Sequence, residues 1–319
     1  MERKPLVKTV DERTSNNEPG IRGRGYVLMT AAYDEEAHIV ATIESVLSQT
    51  VLPNRWIIVS DGSRDRTDEI VQKYAERHGF IRFLRVGRPP GRSFRCKVMA
   101  LRAGGVLLEG VDYDFIGNLD ADVSICDTYF EDIIHHFEKR SGLGLTGGFV
   151  CEERNGQFQD RTINRVYSVA HAAQLMRREC YESMGGYAVL EYGGEDWHAQ
   201  TSLRMMGWSV EALPELKVLH HRDTGKGSNL LRHKFRQGRM DYGFGSVGLF
   251  EIVKCFRLLP DEPFLIGAIA RLLGFVWSWV CREERPVSEE FIAFLRREQK
   301  ERLLSVLPAV WQSRLRALP

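Results

Sequence analysis

Between residues 26 and 122 four short apolar runs alternate with segments of helical spacing, and three of the runs end on acidic clusters. The runs are Tyr26-Val-Leu-Met-Thr-Ala-Ala, Trp56-Ile-Ile-Val, Ile81-Arg-Phe-Leu-Arg-Val and Tyr113-Asp-Phe-Ile-Gly-Asn-Leu. They have the length and composition of buried strands. Residues 35–50 align Ile39, Ile43, Val46 and Leu47 at helical spacing, residues 65–78 align Ile70, Val71 and Tyr74, and residues 96–108 also read as helix. Strands separated by helices of this length predict crossover units and an α/β fold with a mostly parallel sheet. Ligands in such sheets sit outside the carboxyl ends of the strands. Tyr33-Asp34-Glu35, Asp61-Gly-Ser63 and Asp120-Ala-Asp122 all fall at such ends. That shared position is the first reason to expect a site.

Beyond residue 142 the pattern loosens. Gly142-Leu-Gly-Leu-Thr-Gly-Gly-Phe-Val reads as strand, Gln174-Leu-Met as a short apolar stretch, and residues 196–206 as helix. Residues 222–257 hold eight basic side chains against three acidic ones. Residues 263–281 carry a single charge, Arg271, among aromatic and aliphatic side chains that include Trp277 and Trp279. The length suits a membrane span, but a central arginine costs ~2.5–3.5 kcal/mol on insertion scales. Three locations stay open for this segment: the membrane interface, a helix buried against the main domain, or a full span. Residues 291–304 read as a charged amphipathic helix.

The 319 residues allow about two domains at ~150 residues each, or one α/β domain with an appendage. Basic and acidic residues number 44 and 43, so no cationic field favours nucleic acid. The six cysteines show no Cys-x-x-Cys spacing, so neither a zinc site nor a redox pair is expected. Residues 1–24 are polar and aperiodic, which predicts a flexible tail without a secretion signal.

Two Asp-x-Asp pairs flank the fourth run. Asp112-Tyr-Asp114 opens it, whereas Asp120-Ala-Asp122 closes it at the ligand end. Two carboxylates there suit Mg²⁺ or Mn²⁺, completed by substrate phosphates. The alternative is a solvated strand end with helix-capping aspartates. Glu195-Asp196 follows Gly193-Gly194 and opens a helix. There it is either a pair of acids favoured by the helix dipole or a general base raised into a cleft. Lys97 either pairs with a phosphate or lies on the surface. Trp197 and Trp208 either stack on a sugar or pack in the core.

Taken in order, these segments resemble the family 2 glycosyltransferases, inverting enzymes of GT-A fold. Ala31-Ala-Tyr-Asp-Glu-Glu followed by Ile43-Glu-Ser-Val-Leu-Ser-Gln-Thr50 is similar to the family's first strand and helix. Val59-Ser-Asp-Gly-Ser-Arg-Asp-Arg-Thr67 is similar to its second-strand signature, and Cys96-Lys-Val-Met-Ala-Leu-Arg-Ala-Gly104 to its lysine-bearing helix. Leu119-Asp-Ala-Asp122 resembles its metal motif, and Gly185-Gly186 with Gly194-Glu-Asp196 its acceptor side and base. The resemblance covers residues 26–245. The processive signature Gln-x-x-Arg-Trp is absent, with Gln237-Gly-Arg239-Met240 its nearest approach. That disfavours a polymerising synthase with many membrane spans.

The resemblance implies a GT-A domain over 25–245, with a nucleotide-binding half (25–125) and an acceptor half (126–245), then a helical extension over 246–319. It implies that Ala31, Tyr33, Glu35, Asp61, Lys97, Asp120, Glu195 and Arg236 contact a nucleotide sugar, with a uridine preference through Asp61. It implies that Asp122, with Asp120 and one of His220 and His221, holds Mg²⁺ or Mn²⁺, and that Asp196 is the base. The basic and apolar segments point to a lipid-linked acceptor and peripheral contact with the cytoplasmic face of the inner membrane. Two rivals are a nucleotidyltransferase and a non-catalytic nucleotide-sugar-binding module. The first needs a glycine-rich loop where this chain has Ala31-Ala-Tyr-Asp-Glu. The second fits poorly with a chain that keeps both Asp122 and Asp196.

Overall fold

β1 (Tyr26–Ala32) is apolar at nearly every position because it is buried on both faces. Leu28 packs into one hydrophobic core with Ile39, Ile43, Trp56 and Phe130. Val27 and Met29 point the other way, into a second core with Val98, Leu101 and Leu203. A strand covered on both sides needs no polar alternation. The computed structural model describes residues 25–87, 94–154, 156–162, 164–222, 230–260 and 263–305. The tail over 1–24, Asp223 and Lys226 of the basic segment, and the end of the extension from 306 lie outside the described residues.

β1 pairs in parallel with β2 (Arg55–Asp61) and β4 (Phe115–Leu119), and β2 pairs in parallel with β3 (Ile81–Val86). Helices α1 (Ile39–Leu47), α2 (Thr67–Arg77) and α3 (Phe94–Gly105) make the crossovers. The carboxyl ends of β1, β2 and β4 therefore lie on one edge, as ordered alternation requires. After β5 (Val123–Ile125) and α4 (Tyr129–Lys139), the chain adds β6 (Leu143–Arg154), β7 (Gln157–Asp160) and β8 (Ala173–Arg177). β8 inserts antiparallel between β4 and β6. β9 (Ser209–His220) runs parallel to β6 and antiparallel to β5, giving the order β3-β2-β1-β4-β8-β6-β9-β5, with β7 on β6. α5 (Arg178–Ser183) and α6 (Glu195–Met205) lie between β8 and β9.

The C-terminal part is helical: α7 (Leu230–Gly243), α8 (Gly248–Arg257), α9 (Ile266–Val280) and α10 (Glu289–Ser305). α7 and α9 meet backbone to backbone. A Cβ on Gly238 would collide with the Arg271 carbonyl, and one on Gly274 with that of Phe235. Arg271 is 5% exposed and pairs with Asp241 and with Glu251, the latter at 2.9 Å. One face of the apolar segment is thus buried, while Ile269, Leu273, Trp277 and Val280 on α9 remain exposed. Among the described residues no helix is long and apolar enough to cross a membrane.

Candidate active site

The turn Gly193-Gly194 has left-handed backbone at both residues (φ 84° and 89°), a conformation glycine adopts without steric cost. A side chain at Gly194 would also strike Met240 and Phe244. This turn delivers Glu195 and Asp196 to the start of α6. Asp196 Oδ1 accepts the Trp197 amide at 2.7 Å. Burial pushes the carboxyls of Asp196 and Glu195 above the ordinary range.

Asp196 lines a pocket of about 360 Å³ with Lys97, Asp120, His171, Glu195 and His220. Lys97 Nζ donates to Asp120 Oδ1 at 2.6 Å. Burial opposes the charge on Lys97, but Asp120 and Glu195 outweigh it and hold the ammonium above its usual pKa. A carboxylate with a raised pKa beside a fixed cation is a combination found at catalytic sites.

Asp122 sits one step further along the strand edge. His220 Nε2 is 3.5 Å from its Oδ1, and Arg222 Nε 3.5 Å from its Oδ2. Arg222 also pairs with Glu35. Of the two neighbouring histidines, His220 faces Asp122. The His221 ring instead meets Ser124 Oγ at 2.9 Å and stacks on His38. Among the described residues no three His, Cys, Asp or Glu side chains converge as metal ligands. Asp122 and His220 nonetheless offer two adjacent donors. A divalent cation completed by phosphate oxygens and water needs little more from the protein, so the residues fit one.

The remaining expected residues fall into two groups. Ala31 is the next-to-last residue of β1, Asp61 ends β2 and is buried, and the Glu35 amide donates to Thr67 Oγ1 at 2.8 Å. Tyr33 directly follows the end of β1. Arg236, half-buried on α7, lies 3.3 Å from His233 Nδ1 and does not line the pocket. Trp197 packs edge-on to Phe244, and Trp208 lies near the Arg177 guanidinium, so both tryptophans serve packing.

His171 belongs to the site and sequence reasoning missed it. It is 7% exposed, neither ring nitrogen has a hydrogen-bond partner among the described residues, and it packs edge-on to Tyr187. Burial, reinforced by Lys97, keeps the ring neutral by driving its pKa well down. A buried imidazole with both nitrogens unpaired at a pocket wall is a place for ligand hydroxyls.

A family model described as "Glycosyl transferase family 2" matches residues 28–187. The poly-beta-1,6-N-acetyl-D-glucosamine synthase of Staphylococcus epidermidis is 32% identical over 194 residues, 60% of this chain and 43% of that protein. The synthase of the same name from Staphylococcus aureus (strain COL) is 30% identical over 124 residues, 39% of this chain and 28% of its own. The chain spans less than half the length of these relatives. Among solved structures, the mannosyltransferase PcManGT from Pyrobaculum calidifontis, in complex with GDP-Man and Mn²⁺, has a TM-score of 0.51 at 16% identity, covering 92% of this chain and 84% of that one. TarS 1-349 of S. aureus in complex with UDP gives 0.51 at 13%, covering 92% and 86%. GalNAc-T7 with UDP, GalNAc and Mn²⁺ gives 0.54 at 13%, covering 82% and 57%. At these identities the structures establish a shared fold, GT-A.

Proposed function

The chain belongs to glycosyl transferase family 2, and from that premise we propose that it is an inverting glycosyltransferase of polysaccharide or glycolipid synthesis. It moves a sugar from a UDP-linked donor to an acceptor hydroxyl. The observation that carries this reading is the single pocket shared by Lys97, Asp120, Glu195 and Asp196. A non-catalytic binding module has no use for a carboxyl whose burial makes it a stronger base.

Asp196 takes the proton from the acceptor hydroxyl. The oxygen attacks the anomeric carbon from the face opposite the diphosphate. The new C–O bond forms as the bond to the diphosphate breaks, and its electron pair leaves with the phosphate. No covalent intermediate is needed, so the centre inverts. Lys97, fixed by Asp120, sets a positive charge beside the departing diphosphate. Asp122 and His220, with Asp120 nearby, would hold Mg²⁺ or Mn²⁺, which neutralises charge on that leaving group. Binding there requires Arg222 to yield or share Asp122. Asp61 accepts the uracil imide N–H, with Ala31, Tyr33 and Glu35 beside it, and His171 receives donor-sugar hydroxyls.

The same reading puts the protein peripherally on the cytoplasmic face of a membrane, acting on a lipid-linked acceptor. Its support is the exposed apolar face of α9. The missing Gln-x-x-Arg-Trp signature supports single transfers over polymerisation. The names of the curated relatives make UDP-N-acetylglucosamine the first donor to test. Incubation with UDP-sugars and Mn²⁺ should release UDP, and calorimetry should find UDP about tenfold or more tighter than ADP, which lacks the imide donor. Equal binding of ADP would remove Asp61 from the base-reading role. No binding of any nucleotide sugar would remove the function.

A further inference from the structure

Between α8, α9 and α10 runs a groove of about 500 Å³, within the range of ligand-binding cavities. Its floor and walls are apolar: Ile252, Leu272, Phe275, Val276 and Trp279. Among the described residues its only charged lining side chains are those of Arg285 and Arg296, both exposed, and no carboxylate lines it. Ile252, Val276 and Trp279 are also exposed, so the groove opens directly onto the apolar face of α8 and α9. An apolar slot with two guanidiniums at one rim complements a molecule with a hydrocarbon chain and an anionic head.

The groove also lies in series with the catalytic pocket, by way of a cleft between them. Arg285 lines both the groove and a neighbouring cleft of about 460 Å³. That cleft holds Tyr192, Arg239 and Glu283, and it ends at Gly193, next to Gly194 of the catalytic pocket. Arg239 lies over the Tyr192 ring at 4.4 Å and pairs with Glu283, making a wall of aromatic and charged groups. Such a wall suits sugar hydroxyls and sugar faces rather than hydrocarbon. The order is therefore hydrocarbon slot, arginine rim, a cleft of mixed lining in which Leu190 and Phe244 lie beside Tyr192, Arg239 and Glu283, and base.

We infer that the groove binds the acceptor's lipid phosphate. The chain lies along Phe275 and Val276, the phosphate lies at Arg285 and Arg296, and the head group extends past Tyr192 toward Asp196. This inference rests on the glycosyl-transfer reading and names the acceptor class of that same site.

The test is calorimetry on the full-length protein, with dodecyl phosphate below its micelle concentration, dodecanol, inorganic phosphate and UDP as separate titrants. Dodecyl phosphate should bind, with dodecanol and inorganic phosphate each about tenfold or more weaker, because chain and charge are both needed. The Arg285→Ala/Arg296→Ala double variant, altered only at exposed positions, should weaken dodecyl phosphate about tenfold or more and leave UDP unchanged. Trp279→Glu, also exposed, should do the same from the hydrocarbon side. Equal affinity for inorganic phosphate would mean a free-anion site, and equal affinity for dodecanol a non-selective apolar surface; either overturns the inference. So does an unchanged double variant, or UDP binding without dodecyl phosphate binding. Dodecyl phosphate binding without any nucleotide binding would instead overturn glycosyl transfer and leave the lipid site.

Discussion

Asp196 and His171 show how burial sets the chemistry of single side chains here. Removing a general base costs ~10²–10⁴ in rate, so Asp196→Asn should lose that much kcat while UDP-sugar affinity holds. A matching loss of donor affinity in calorimetry would assign Asp196 to donor binding instead. Burial raises the Asp196 pKa, and a base must be deprotonated to act. The acid limb of kcat should therefore sit above the ~3.9 of a free aspartate, with activity falling as pH drops through it. A pH profile flat down to that value would contradict the role. For His171, two unpaired ring nitrogens predict that His171→Ala weakens UDP-sugar by about 1–3 kcal/mol and leaves UDP itself unchanged. Equal losses for both ligands would move His171 to the nucleotide side. Asp196, Asp120 and Lys97 were legible because each sits in a motif at a strand or helix end. His171 was not, because Val169-Ala-His-Ala-Ala looks like ordinary core sequence and only the fold brings it beside Lys97.

At the scale of elements, the first half of the sheet could be read directly because each parallel strand is a separate apolar run between amphipathic helices. β5, β7 and β8 could not. They are three to five residues long; the antiparallel partners of β5 and β8 lie far along the chain, and β7, a hairpin on β6, is an exposed polar strand with no apolar run to mark it. The apolar segment around Arg271 left its location open for a similar reason. The partners that make burial of Arg271 tolerable, Asp241 and Glu251, belong to two other helices. Those ion pairs close α7, α8 and α9 around one charged centre. Taking away one partner leaves buried charge uncompensated, which costs about 3–5 kcal/mol. Arg271→Met should therefore lower unfolding free energy by about that amount in denaturant titration. Replacing Asp241 and Glu251 by apolar residues in the same protein should recover most of it. A single variant as stable as the parent would mean the helices are held by packing at Gly238 and Gly274 alone.

At the scale of the whole molecule, two features of the C-terminal helices pull differently on membrane binding. The excess of basic residues over 222–257 predicts attraction to anionic lipid, at ~1 kcal/mol per basic residue near the surface. In the fold, however, Arg222 pairs with Glu35, Arg239 with Glu283 and Lys254 with Asp241. Much of that charge is used internally, so the electrostatic share is smaller than the sequence tally implies. The apolar share is larger, since Leu249 and Phe256 on α8 join Leu273, Trp277 and Val280 on α9 as exposed side chains. Burying that face in the lipid interface is favourable at about 25 cal/mol per Å² and is insensitive to salt. The protein should therefore float with liposomes in a density gradient, and raising the salt should release only a minor fraction. Leu273→Glu/Trp277→Glu changes two exposed positions and leaves the Arg271 cluster intact. That variant should stay at the bottom of the gradient while still binding UDP. If it floats like the parent, the apolar face is not the contact; if salt alone releases the parent completely, charge rather than α9 holds the protein to the bilayer.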